Sequence, residues 1–126
     1  MSKPAPRPLQ AELLTIQQTG LIECRAGVQR LEQALELVAL CGEHDAPRLL
    51  LLEDALPADF FELSSRFAGE FIQKLVNYRI AVAGVFADGN AHGERFGEYL
   101  REARHGRQFR AFDEREAALT WLAAQH

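Results

Sequence analysis

Two short apolar runs restrict this chain more than anything else in it. Arg48 to Glu53 reads R-L-L-L-L-E, and Arg79 to Phe86 reads R-I-A-V-A-G-V-F. Each is too short for a buried helix and lacks polar alternation, so each suits a strand covered on both faces, as in a parallel sheet. Between them Phe67, Phe71, Leu75 and Tyr78 recur on one helical stripe, flanked by Ala68 and Ile72. Glu70, Gln73, Lys74 and Asn77 form the wet side of that helix. Strand, amphipathic helix and strand in succession make the repeating unit of a parallel α/β sheet.

The flanking segments extend the unit. Gln10 to Gln18 (Q-A-E-L-L-T-I-Q-Q) and Leu21 to Arg25 (L-I-E-C-R) are β-prone runs with Thr19-Gly20 between them, which predicts a hairpin turning there. Gly27 opens a helical stretch in which Val28, Leu31, Leu35 and Val38 face inward and Arg30, Glu32, Gln33 and Glu36 outward. Gly42 stands where a helix C-terminal glycine belongs. Asn90 is placed to cap a helix running to about His105, before the stop at Gly106. Gln108 to Phe112 alternates like an edge strand, and Asp113 with Glu116 forms a capping-box pattern for a last helix. The predicted order is β-β-α-β-α-β-α-β-α, a mixed, mainly parallel sheet of about five strands with four helices.

The chain has 126 residues, which fits one domain over residues 9–126 behind a proline-rich lead, M-S-K-P-A-P-R-P, read as disordered. Its net charge of −4 offers no global attraction to nucleic acid or anionic membranes. Cys24 and Cys41 lie in apolar contexts and read as buried thiols rather than a disulfide or metal framework. No apolar run is long enough to span a bilayer, and the N-terminus lacks the apolar core of a signal peptide. A reducing cytoplasm is the expected location.

The block P-A-D-F-F-E-L-S-S-R-F-A-G-E-F-I-Q-K-L-V-N-Y-R-I-A-V-A-G-V-F resembles the centre of the DUF4180 family of small bacterial proteins. There a Phe-Phe-Asp-Leu stretch leads into a small-Gly-Glu helix, and Asn-Tyr-Arg leads into a strand. The later F-G-E-Y-L-R-E-A-R-H-G-R-Q-F-R is similar to that family's aromatic-rich helix, and the likeness runs from about Gly20 onward. The sequence departs from the pattern at Ser64-Ser65-Arg66, where the family more often has a charged residue and a Thr or Ser. The family carries no assigned activity. S-S-R-F-A-G-E-F-I-Q-K-L is also similar to the corresponding helix of STAS-like domains, the group that includes anti-sigma-factor antagonists. That resemblance implies a STAS-like fold, and in that group a serine opening this helix can be phosphorylated to switch partner binding.

Candidate functional residues follow from chemistry and position. Ser64 and Ser65 precede the apolar stripe, where a hydroxyl either caps the helix or, phosphorylated, places nearly two negative charges at its start. Gly69 inside the helix implies close approach to a neighbouring backbone. Asn77 is suited to a left-handed helix end, while Tyr78 and Arg79 either pack there or serve a ligand or partner. Glu53 and Asp54 end a central strand, where ligands of α/β sheets bind. Arg101, Arg104 and Arg107, with His105 and Arg110, form a basic cluster that either complements a helix dipole or meets phosphate or an acidic partner. Cys41 and His44 make one pair without a second, and no phosphate loop or dinucleotide fingerprint is present. His92 and His105 have no sequence-visible acid or nucleophile. The expectation is a non-enzymatic regulatory or protein-interaction module without cofactor or metal. Its partner is another protein or a second copy of itself, not nucleic acid or membrane. A small-molecule (nucleotide or metabolite) binding domain is the alternative.

Overall fold

The computed structural model describes residues 8–125; the lead segment assigned to residues 1–8 lies almost wholly outside them. They form a single α/β domain with a sheet in the order β1-β2-β3-β4-β5. β1 (Gln10–Ile16) and β2 (Thr19–Ala26) are antiparallel, and β3 (Arg48–Leu52), β4 (Ala81–Val85) and β5 (Phe109–Phe112) continue in parallel. The helices are α1 (Gln33–Glu43), α2 (Ala58–Phe61), α3 (Phe67–Asn77), α4 (Glu94–Ala103) and α5 (Arg115–Ala123). α2 is a single turn too short for periodicity to reveal, so it stands in addition to the four predicted helices.

α1, α3 and α4 cover one face, where Leu37, Phe71 and Phe96 meet Ile22, Leu49 and Val82 of the sheet. Strands placed in chain order, with every connecting helix on the same side, require crossovers of one hand. α5 alone covers the other face, with Leu119 and Leu122 against Leu21, Leu50 and Ala83. Successive residues of β3 therefore point into two different cores, which is why R-L-L-L-L-E is apolar without a break.

Five turn and helix-end expectations are corrected, mostly by residues other than glycine in the left-handed region. The hairpin turns at Gln17-Gln18, with φ of 51° and 66°, while Thr19 and Gly20 belong to β2. Mirror-image turns match strand twist, so the register imposes them here without Asn-Gly chemistry. Gly42 lies within α1, whose end is closed instead by Asp45 at φ 50°, with the Ala46 N–H donating to the Cys41 carbonyl. α3 ends the same way at Arg79, φ 62°, not at Asn77: the Arg79 and Ile80 N–H groups donate to the Val76 and Leu75 carbonyls. This is a Schellman closure with Ile80 and Leu75 both buried, and that apolar clasp fixes the turn position. α4 starts at Glu94 behind Gly93, φ 97°, rather than at Asn90. α5 starts behind Glu114, and no side-chain cap forms from Asp113.

Side-chain facing differs at several points. α1 begins at Gln33, six residues after Gly27, and Gln33 is buried rather than wet. Its Oε1 accepts from the Gln29 and Arg30 N–H groups and its Nε2 donates to the Gly27 carbonyl at 2.9 Å, so it stitches the connection before the helix. Leu35 and Tyr78, placed on apolar stripes by spacing, are exposed. Gly69 has open space around the position of a Cβ, so the close-approach reading of it is wrong. Gly69→Ala is therefore expected to stabilise the domain by up to about 1 kcal/mol. A chemical-denaturation midpoint that falls in the variant would contradict this.

Candidate functional site

The carboxyl ends of the parallel strands gather the richest side-chain chemistry. Glu53 follows β3 directly and opens a single 3-10 turn through Ala55. On the adjacent strand β4, in register with β3, the chain leaves through Phe86 and runs along residues 87–93 to α4. His92 in that connection turns its Nε2 onto Oε2 of Glu53. A carboxylate accepts only, so the imidazole proton sits on Nε2. The other carboxylate oxygen accepts from the Ala87 N–H at 3.4 Å. The His92 ring stacks on Phe61 of α2, with centroids 3.8 Å apart and planes at 17°.

Behind this pair lies an aromatic hub. Fully buried Phe60 meets Phe61, Phe67, Phe86 and Phe96 at centroid distances of 5.7, 6.5, 6.2 and 6.0 Å. These rings come from α2, α3, the end of β4 and α4. The connections after β3 and β4 are thus fastened twice: by Glu53 and His92 at the rim and by the phenylalanines beneath.

On the α5 side of the same edge runs an open groove of about 510 Å³. Leu52, Val85 and Ala87 give it an apolar lining, and Arg25, Glu53 and Asp54 supply its charges. Arg25 is tied down: its Nε donates to Glu23 at 2.7 Å and its Nη2 meets Glu12 at 3.0 Å. Glu23 is the one buried acid among the described residues, and Arg115 at the start of α5 donates to its second oxygen through Nε at 2.8 Å. Burial alone would push the Glu23 carboxyl up. The hydrogen bonds and charges of Arg25 and Arg115 outweigh it and hold that carboxyl below its ordinary range. Asp54 is exposed, with no hydrogen bond or ion pair of its own among the described residues.

The structure separates the other predicted residues. Ser64 and Ser65 lie in a 3-10 turn before α3, whose first turn is set off by Arg66 at φ 65°. The helix therefore starts at Phe67 and neither serine is its N-cap. Ser65 still satisfies an orphan donor: its Oγ accepts from the Phe67 N–H at 3.1 Å and shares its proton between the Asp59 and Glu62 carbonyls. Ser64 is exposed and donates only to the Glu62 carboxylate, at 3.0 Å. Tyr78 and Arg79 sit before β4, at the opposite edge of the sheet from Glu53 and Asp54. Arg101 is in the last turn of α4, Arg104 closes it, and Arg107 precedes β5. Arg101 and Arg104 flank a small cleft against Gly89 and Asn90, away from the Glu53 groove.

Catalytic parts are sparse. Among the described residues no serine, threonine or cysteine side chain is hydrogen-bonded to His92, and no group of three or more metal-ligating side chains gathers. Burial pushes the Cys24 and Cys41 thiols up, to about 12 and about 11, which removes their nucleophilicity. No helix among the described residues is long and apolar enough to cross a membrane. His92 escaped the sequence reading because its acid lies 39 positions away. The available signal was topological: both residues leave the carboxyl ends of neighbouring central strands.

The model of a domain of unknown function, DUF4180, matches residues 16–122. The chain belongs to the DUF4180 family. No curated protein and no solved structure matches it. The DUF4180 match takes in both carboxyl-edge connections, the two serines and all five strands except most of β1.

Proposed function

We propose that this DUF4180 domain is a non-enzymatic regulatory module of STAS-like type, which binds a protein partner through the connection between β3 and α3 and is switched at Ser64. The observation that carries the reading is the unequal use of the two serines. Both serines are exposed, but the Ser65 hydroxyl is consumed by the turn and the helix start, whereas Ser64 is held only by the Glu62 carboxylate. A phosphate on Ser64 sets nearly two negative charges against the Glu62 carboxylate and replaces an attraction by a repulsion. The turn is anchored to the Phe60 hub, so the change falls on the exposed surface rather than on the core.

Affinity capture from the cells that express the protein tests the switch. A partner retained by the wild type and Ser64→Ala and lost with Ser64→Glu is the expected result. A captured set identical across those variants removes the reading. The groove beside Asp54 supports a second one, a small-molecule binding domain, because an acid without a partner faces an apolar lining there. A metabolite that stays bound in native mass spectrometry of the wild type and is lost in Asp54→Asn would favour it.

A further inference from the structure

Among the described residues β1 is an edge strand, with β2 on one side and no strand on the other. The tight turn at Gln17-Gln18 pairs Ile16 with Thr19, and the register continues through Leu14 with Leu21 and Glu12 with Glu23. Main-chain groups alternate along an antiparallel strand, so those of Ile16, Leu14 and Glu12 point to β2. Those of Ala11, Leu13 and Thr15 point away from the sheet. Each of the three offers one donor and one acceptor to whatever lies alongside.

The two edges of the sheet are treated differently. β5 has four residues, and Gly106 packs so closely on it that a Cβ there would lie 1.8 Å from the Phe109 carbonyl oxygen. That short strand therefore has the chain's own turn packed against its first carbonyl. β1 has seven residues, no proline and no lysine, and its one register irregularity is confined to its first step, Gln10/Ala11. Its one charge, Glu12, is paired with Arg25 on β2, and Leu13 is 44% exposed at its centre. Exposed edges are ordinarily blunted by charge, proline, bulges or shortness. This one is not.

We infer that two copies of this chain join edge to edge through β1, antiparallel and centred on Leu13, so that one sheet runs through both. The register is self-complementary, as a two-fold interface demands. Leu13 faces Leu13 of the second copy, Ala11 faces its Thr15, and all three outward positions find main-chain partners. Glu12 falls opposite Leu14 of the second copy rather than opposite another Glu12, and it keeps Arg25 beside it. The inference is independent of the Ser64 switch, which lies in the connection between β3 and α3.

Sedimentation of the full chain over a concentration series tests it, with circular dichroism as the check on folding. The wild type is expected to be dimeric. Leu13→Lys, which sets two ammonium groups against each other, is expected to raise the dissociation constant at least about tenfold. Thr15→Pro removes an outward N–H without touching the ladder to β2 and is expected to weaken the dimer while the domain stays folded. A wild type that remains monomeric up to about 100 µM overturns the inference. So does a dimer that survives both substitutions.

Discussion

Truncating Phe60 to alanine is expected to cost the domain about 3–5 kcal/mol and to lower its melting temperature by roughly 10 °C or more. Phe60 is fully buried, and its ring touches four others drawn from three helices and the end of β4. Removing it leaves a cavity that the neighbours cannot close together, because each is held by a different element. The loss should also loosen the rim, since Phe61 on the next position supports the His92 ring. Hydrogen exchange at the Ala87 amide, which donates to Glu53, should therefore accelerate more than global destabilisation requires. Unchanged protection there, relative to β3 and β4 amides, would separate the rim from the hub.

Arg115→Ala is the second large change, with an expected cost of about 2–4 kcal/mol at neutral pH. Glu23 is 1% exposed and loses the donors to one of its oxygens, while Arg25 continues to serve the other. Because its partners hold the Glu23 carboxyl down in the folded state, its stabilising contribution exists above the ordinary carboxylate range. That contribution disappears as the pH falls through the lowered value. The variant lacks part of it from the start. Its deficit in urea midpoint should be greatest at neutral pH and should shrink on acidification. A deficit that stays constant across the acid range would assign the effect to packing of the arginine stem instead.

The sheet was legible because its strands announce themselves in composition. R-L-L-L-L-E and R-I-A-V-A-G-V-F suit strands lying between two layers, and β3 and β4 are those strands. The α3 stripe was legible for the complementary reason, one wet face and one dry. The turns were not. Gln17, Gln18, Asp45, Arg66 and Arg79 all take positive φ, although glycine is the residue that adopts it freely. At the end of α3 it is the packing of Ile80 and Leu75, and not the residue type, that imposes the conformation on Arg79.

The site divides along the same line. Glu53 and Asp54 could be placed from strand position alone, and both border the carboxyl-edge groove. Ser64 and Ser65 could be located but not told apart, since their difference rests on the Asp59 and Glu62 main-chain carbonyls accepting from Ser65 while Ser64 meets only the Glu62 carboxylate. Nothing near Glu23 in the sequence marks it as buried, because the arginine that encloses it with Arg25 lies 92 positions later. Arg101, Arg104 and Arg107 lie close in sequence, and Arg101 and Arg104 line a cleft with Gly89 and Asn90 rather than the groove of Glu53 and Asp54.

The strictly sequential order of the sheet has a consequence for synthesis on the ribosome. Each strand docks on the one made just before it, so the sheet and its three-helix side can assemble as the chain emerges, with little waiting for distant partners. The opposite side cannot. Leu21, Leu50 and Ala83 stay uncovered until α5, which follows all five strands in the chain, swings across them and Arg115 engages Glu23. A nascent chain stalled before residue 115 would carry a finished sheet with one bare apolar wall, the form of this protein that a chaperone has most reason to hold.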